Sequence, residues 1–204
     1  MKVVCLSDTH GKHYRLNLPA ADMLIFAGDW SYLSNHESSI RFIAWLESLD
    51  YEHMLIIAGN HDKIIDPIES SPDPRITYLH NSACTINGLR FYGTPYTPSF
   101  MDWYWGLSDQ ELKRNASHIP YDTDVLISHG PARGILDQNV EGELCGDKYL
   151  SKVHYKLNLQ YHIFGHIHES YSQFPIRHHG CWCYNVSTCN INYDPINKPI
   201  IIDL

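Results

Sequence analysis

The 204-residue chain carries 15 Lys and Arg against 23 Asp and Glu, a formal charge of −8, with 44% hydrophobic and 19% charged residues. These are globular values with length enough for a sizeable core, and no low-complexity linker divides the chain, so residues 1–204 are read as one domain. The acidic balance, without a run of Lys or Arg, excludes sequence-independent binding to DNA or RNA and makes any phosphate affinity local. In chain order, Val3 to Leu6 and Met23 to Ala27 are apolar runs of the kind expected for strands buried on both faces. Ser34 to Asp50 then reads as a helix, with Ser34 and Glu37 at capping-box spacing and Ile40, Ile43, Leu46 and Leu49 at helical intervals. Met54 to Ala58 completes a β-helix-β crossover. Arg75 to Leu79, Ala83 to Ile86 and Leu89 to Tyr92 read as strands, the last two joined by the hairpin signal Asn87-Gly88. A helix is predicted over Ser108 to Ser117, again with capping-box spacing at Ser108 and Glu111, and another over Asp147 to Leu157. Val125 to Ile127, Tyr161 to Phe164, Cys181 to Ser187 and Ile200 to Asp203 complete the strands. Strand-helix repeats mixed with hairpins predict an α/β fold of two mixed β-sheets packed as a sandwich and flanked by helices.

The apolar stretch after Met1 stops at Leu6, too short for a signal-peptide core or a membrane span, so a cytoplasmic location without membrane partners is expected. The six cysteines are accordingly read as free thiols, and the sequons at Asn115 and Asn185 as chance matches. Cys181-Trp182-Cys183 with Cys189 raises the question of structural zinc. The spacing is not C-x₂-C and the sequence places no fourth ligand, so Cys181, Cys183 and Asn185 are read as one face of a strand.

Five polar blocks carry the chemistry. Asp8-Thr9-His10, Gly28-Asp29, Gly59-Asn60-His61-Asp62, Ser128-His129-Gly130 and Gly165-His166-Ile167-His168 each follow an apolar run. Each therefore falls where a strand ends, the position at which open α/β sheets place ligand sites. Side chains two apart in an extended segment lie about 6.5–7 Å apart on one side, and paired catalytic metals sit about 3.5–4 Å apart. Asp8 and His10 can thus converge on one ion, while His166 and His168 straddle two.

The order D-x-H, G-D, G-N-H-D, H and G-H-x-H resembles the calcineurin-like metallophosphoesterases. Ser128-His129-Gly130-Pro131, Phe164 to Glu169, Asn185 to Asn190 and the closing Pro199 to Leu204 are similar to that family's small metallophosphoesterase-domain-containing branch. The resemblance implies one divalent metal on Asp8, His10, Asp29 and His168 and a second on Asp29, Asn60, His129 and His166. Asp29 would bridge, a role that needs the several lone pairs of a carboxylate. It further implies a phosphoesterase in which a metal-bridging hydroxide attacks phosphorus, with His61 assisting the leaving group and Asp62 orienting His61. Imidazole and oxygen donors without thiolate favour Mn²⁺, Fe or Zn²⁺. A phosphodiesterase acting on a nucleotide or cyclic nucleotide is the leading expectation. A phosphomonoesterase or protein phosphatase, or a low-turnover nucleotide-binding homologue, stands beside it, and the oligomeric state is left open. Asn60, His61 and Arg133 are the expected substrate contacts, and the aromatic stretch Phe91 to Trp105 is the candidate for recognition. Trp30, after Gly28-Asp29, departs from the common family pattern and either narrows the site or packs beside it. The remaining histidines, His13 and His154 among them, are assigned no chemistry.

Overall fold

The computed structural model describes residues 1–204 throughout. In chain order the elements are β1 (Lys2–Leu6), β2 (Met23–Ala27), α1 (His36–Glu47), β3 (His53–Ile57), α2 (Asp66–Glu69), β4 (Ile76–Tyr78), β5 (Ser82–Ile86) and β6 (Leu89–Thr94). There follow β7 (Thr97–Pro98), β8 (Gly106–Leu107), α3 (Asp109–Ser117), β9 (Val125–Ser128), α4 (Lys148–Lys156), β10 (Tyr161–Phe164), β11 (Ile176–His178), β12 (Cys181–Asn185) and β13 (Ile200–Asp203). One sheet has the order β13-β1-β2-β3-β4 and the other β11-β12-β10-β9-β6-β5. Both are mixed: β1, β2, β3 and β4 run parallel with β13 antiparallel, while β12, β10, β9 and β6 run parallel between antiparallel β11 and β5. No helix is long and apolar enough to cross a membrane.

Successive side chains of a strand point to opposite faces, and here both faces are covered. Val3 and Cys5 of β1, Met23 and Ile25 of β2 and Leu55 and Ile57 of β3 meet Phe91, Val125, Ile127 and Ile163 of the second sheet in the central core. Val4, Leu6, Leu24, Phe26, Met54 and Ile56 face outward under α1, against Phe42 and Leu46. Leu126, Phe164, Cys181 and Cys183 form a third core under Leu150 and Val153 of α4. This double burial explains why the central strands read as unbroken apolar runs rather than as alternating ones.

Helix α1 starts one residue later than the capping-box spacing suggested. Asn35 is the N-cap, its side chain accepting from the Ser38 N–H at 2.8 Å. The Ser34 hydroxyl instead accepts from the N–H groups of Lys63 and Ile64 at 2.7 and 3.0 Å, tying down the loop after β3. The buried face of α1 is Ser39, Phe42 and Leu46, and Ile40 is 46% exposed. At α3 the predicted cap is present: the Glu111 carboxylate accepts from both N and Oγ of Ser108, at 2.9 and 2.6 Å. Trp30 packs beside the site, stacked on Phe42 with ring centroids 5.0 Å apart and 1% exposed.

His13 likewise belongs to packing rather than to the site. Its ring lies 5.3 Å from Phe42 and 4.8 Å from Trp45, it is 2% exposed, and neither ring nitrogen has a hydrogen-bond partner. Burial pulls its pKa down to about 4 from 6.5. Because folding lowers the pKa of this base, the stability of the neutral ring is fully present above the unfolded value and is lost as pH falls towards the folded one. At about pH 5 protonating the unfolded chain costs the fold about 2 kcal/mol. His13→Leu should therefore reduce the acid destabilisation by about that amount, read as a smaller difference between urea midpoints at neutral and mildly acid pH. An unchanged difference would remove His13 from the acid response.

Candidate metal centre

The C-terminal ends of β1, β2 and β3 in one sheet and of β9 and β10 in the other meet at a single edge, and the five blocks lie there. The sheets are joined at that edge by hydrogen bonds. His129, just after β9, donates from Nδ1 to the carbonyl of Ala27 at the end of β2 (2.9 Å). Ser7 N, just after β1, donates to Val186 O, after β12, at 3.1 Å.

The ligand atoms converge in two groups. His168 Nε2 is 3.4 Å from Asp8 Oδ1 and 3.3 Å from His10 Nε2, and His10 Nε2 is 3.8 Å from Asp29 Oδ2. On the other side of Asp29, Oδ2 is 3.4 Å from His129 Nε2, which is 2.9 Å from Asn60 Oδ1. The His166 ring packs against His129 with centroids 5.0 Å apart. Donors about 2.0–2.2 Å from one ion lie about 3–3.5 Å from one another, so both groups have the spacing of a coordination shell with Asp29 between them. Six of the seven expected ligands meet through their donor atoms, and His166 joins them through the packing of its ring on His129.

The imidazoles are also turned the right way. His10, His129 and His168 place Nδ1 on the carbonyl oxygens of Ser31, Ala27 and Asn190, at 3.1, 2.9 and 3.0 Å. A carbonyl accepts only from N–H, so Nδ1 carries a proton in each ring and Nε2 is the nitrogen turned to the cluster, the arrangement that metal-ligating histidines need. Burial and the neighbouring imidazoles depress His10 to a pKa of about 4 and His166 to about 3, which keeps both neutral despite Asp29 and Asp8 nearby. Burial opposes ionisation of Asp8 and Asp29, but His168 and His129 beside them hold both carboxyls well below the usual range. Burial also disfavours the His129 imidazolium, yet Asp29 outweighs it and lifts that pKa to about 9. The donor set is thus anionic carboxylate and oriented imidazole around a point that draws positive charge, and it fits two divalent ions.

Backbone conformation was not visible in the sequence. Asp8, His10, Asp29 and His166 all have positive φ, at 53°, 44°, 60° and 70°. A left-handed backbone is uncommon for residues other than glycine and clusters where structure over-determines a functional site. The glycines in the blocks have a different reason, close approach. A Cβ on Gly165 would fall on the Asp8 carboxylate and the Ser7 hydroxyl, and one on Gly59 would fall on the Asp29 carboxylate.

Asp62 has a different function from the one expected. Its carboxylate does not reach the His61 ring; it accepts from the N–H groups of Asp29 (2.7 Å), Trp30 (3.2 Å), Gly59 (3.0 Å) and Ser31 (3.0 Å) and from Ser31 Oγ (2.9 Å). His61 is oriented instead by Tyr32, whose carbonyl oxygen takes Nδ1–H at 2.9 Å and leaves Nε2 free. The His61 ring stands edge-on to His10 with centroids 4.7 Å apart, and its backbone N–H donates to Asp29 Oδ1 at 2.8 Å.

Beside the cluster lies a cavity of ≈ 530 Å³ lined by His10, Asn60, His61, Phe100, Trp103, Arg133 and Tyr193 among others. Of the aromatic stretch only Phe100 and Trp103 reach it. Phe91 and Tyr92 are core residues, and Trp105 is turned away, its Nε1 donating to Asp62 O at 2.8 Å. Arg133 lines the wall while donating from Nη1 to Leu144 O at 2.7 Å. Tyr193 had no signal in the sequence: it stands 4.7 Å from the His10 ring in a loop with no apolar periodicity. Asn185, expected on a strand face and at the head of a segment that resembles the family branch, donates from Nδ2 to Ile167 O at 2.8 Å and fixes the turn carrying His166 and His168.

Residues 1–170 match the model of the calcineurin-like phosphoesterase family. The chain belongs to that family. It is 35% identical to metallophosphoesterase domain-containing protein 1 of Homo sapiens over 100% of its own length and 71% of the relative's. It is 31% identical to the UPF0046 protein K07C11.7 of Caenorhabditis elegans, over 98% of the chain and 74% of the relative. The fold is similar to the crystal structure of TT1561 of Thermus thermophilus, with TM-score 0.67 at 10% identity, covering 90% of this chain and 88% of that one. This phosphoesterase is accordingly a metal-dependent hydrolase, and the His and Asp cluster supplies donors for divalent ions. Gly165→Ala tests the close packing of that cluster. It should weaken metal affinity by about 10- to 100-fold, the range seen when groups supporting ligands are disturbed, read as metal content after dialysis, while Ile40→Ala, on the exposed side of α1, should leave it unchanged.

Proposed function

We propose that the phosphoesterase hydrolyses phosphodiesters of small substrates bearing an aromatic base, a nucleotide or cyclic nucleotide, with Mn²⁺, Fe or Zn²⁺ as the ions its donors favour. Asp8, His10, Asp29 and His168 hold one ion, and Asp29, Asn60, His129 and His166 the other. Two ions held there supply an activated water and neutralise the phosphoryl oxygens. Every other part falls to side chains of the chain itself. His61, outside both ligand sets, would act as the imidazolium, giving the proton on Nε2 to the departing ester oxygen while Nδ1–H stays on the Tyr32 carbonyl. Asn60 and Arg133 contact the phosphoryl group, and Asp62 holds the turn on which Asp29 and the Tyr32 carbonyl sit.

The observation that carries the substrate class is the aromatic lining of the cavity. Trp103, 39% exposed, lies with its centroid 4.1 Å from that of His61, and Phe100 is 64% exposed beside it. Tyr193 comes from a separate loop after β12. Two aromatic surfaces around one phosphoryl site give each arm of a diester a face, and ≈ 530 Å³ suits a small molecule rather than an extended peptide.

A panel of phosphate mono- and diesters assayed under several divalent ions tests this reading. Faster turnover of nucleotide diesters than of monoesters is expected; the reverse preference would assign a phosphomonoesterase. Asp29→Asn should abolish turnover and lower the content of both ions. His61→Ala should keep both ions and lower kcat by about 10²–10⁴-fold, the usual contribution of a general acid; loss of metal in that variant would make His61 a ligand. Trp103→Ala should raise KM for nucleotide diesters by about fivefold or more, the lower end of base stacking, with kcat little changed.

A further inference from the structure

A second cluster of metal-binding atoms lies on the outer face of the second sheet, under α4, away from the phosphoesterase centre. Cys181 and Cys183 of β12 share that face, 1% and 0% exposed, with Sγ atoms 4.0 Å apart. His154 of α4 packs over them with Nδ1 4.0 Å from Cys183 Sγ. His178 of β11, the cross-strand partner of Cys181, brings its Nδ1 to 3.5 Å from His154 Nδ1. Cys189, close to the other two thiols in sequence, is not part of the cluster; its Sγ contacts Thr9 O behind the Asp8 block.

Hydrogen bonding decides what the His154 nitrogen carries. Ser128 Oγ is 2.6 Å from Gly130 O, and only the hydroxyl proton can bond that pair. Ser128 therefore accepts from His162 Nε2 at 2.7 Å. Burial keeps the His162 pKa well below its ordinary value, so the ring is neutral, its one proton is on Nε2, and Nδ1 is bare. That bare nitrogen accepts from His154 Nε2 at 2.9 Å. The remaining nitrogen of a neutral His154, Nδ1, then has a free lone pair on the side of Cys183 and His178.

We propose that His154 Nδ1, His178 Nδ1, Cys181 Sγ and Cys183 Sγ form a separate site for one thiophilic divalent ion of the Zn²⁺ kind. In a tetrahedron with Zn–S of about 2.3 Å and Zn–N of about 2.0–2.1 Å, neighbouring nitrogens lie about 3.4 Å apart, nitrogen and sulfur about 3.6 Å and two sulfurs about 3.8 Å. The three contacts of 3.5, 4.0 and 4.0 Å run in series from His178 through His154 and Cys183 to Cys181, each within a few tenths of an ångström of these values, and an ion would draw the two ends of the series together. The His154 Nε2–H bond to His162 is the outer hydrogen bond that orients a ligating imidazole. Within the coupled pair of thiols the Cys183 thiol is drawn down by the Cys181 thiol and by His154 against the opposing effect of burial, and the Cys181 thiol is pushed up. An ion here ties α4 to the β11–β12 hairpin and covers the edge of the second sheet, a structural staple.

Titration of the reduced full-length protein with Co²⁺ tests the site. The phosphoesterase centre offers only nitrogen and oxygen donors, so intense sulfur-to-cobalt absorption in the near ultraviolet reports this site alone. The expected result is that the band appears, saturates at one thiolate-bound ion per chain and is bleached by Zn²⁺. Cys183→Ser should abolish it. His178→Gln, at the partly exposed rim, should weaken Co²⁺ at least about tenfold and keeps the test decisive if the buried variant does not fold. Cys145→Ser and Cys189→Ser should leave the band intact. A folded wild-type protein without the band, or a band unaffected by His178→Gln, or one lost with Cys145 or Cys189, overturns the site.

Discussion

The centre depends on one buried carboxylate that is not expected to touch a metal. Asp62 takes five donors from the turns after β2 and β3, and four of the five lie in the three residues Asp29, Trp30 and Ser31. Burial and the Asp29 charge make ionisation of Asp62 costly. The convergent N–H and O–H groups recover part of that cost, and the Asp62 carboxyl still stands well above the usual carboxylate range. The turn held in this way carries Asp29 itself, the Ser31 carbonyl that fixes His10 and the Tyr32 carbonyl that fixes His61. Asp62 thus orients His61 through the backbone of another strand's turn, two steps removed from the direct contact its sequence position suggested.

Strand positions could be read from the sequence because the central strands are buried on both faces, leaving uninterrupted apolar runs with a polar residue at each end. The metal blocks could be read for the same reason, since a run ending in Asp, Asn or His marks where the chain leaves the sandwich. What escaped were features set by neighbours distant in sequence. Ser34 has capping chemistry, but the loop after β3 supplies it with better-placed donors, and Asn35 takes over the cap. Ile40 has helical spacing but falls outside the stripe that Phe42 and Leu46 bury. Phe91 and Phe100 belong to one aromatic stretch, and only the topology separates a core ring from a cavity ring.

The cysteines show the same limit in sharper form. Spacing alone placed Cys181 and Cys183 on one strand face, which the structure bears out. Cys189, which that reading left off the face, lies six residues on against Thr9 behind the Asp8 block. The histidines that do approach the thiols come from α4 and from β11. His154 lies 29 residues before Cys183, and no local pattern relates the two. A donor set assembled from a helix and a hairpin has no spacing signature of the kind a C-x₂-C motif carries.

Strain and charge at the phosphoesterase centre share one compensation. Asp8, Asp29 and Asp62 are all buried within a single edge, and four ligand residues hold left-handed backbones. Left-handed conformations at non-glycine residues cost of order 1–3 kcal/mol each, and buried like charges add to that. Backbone donors answer Asp62, and the Ser7 hydroxyl together with the His166 N–H answers part of Asp8. For Asp29 the available partners are the His61 N–H and the imidazoles of His10 and His129. The carboxylate least served by fixed donors is therefore the one expected to bridge. Divalent ions on either side of Asp29 would stabilise the charge and the backbone strain in the same step, linking metal binding to the stability of the fold.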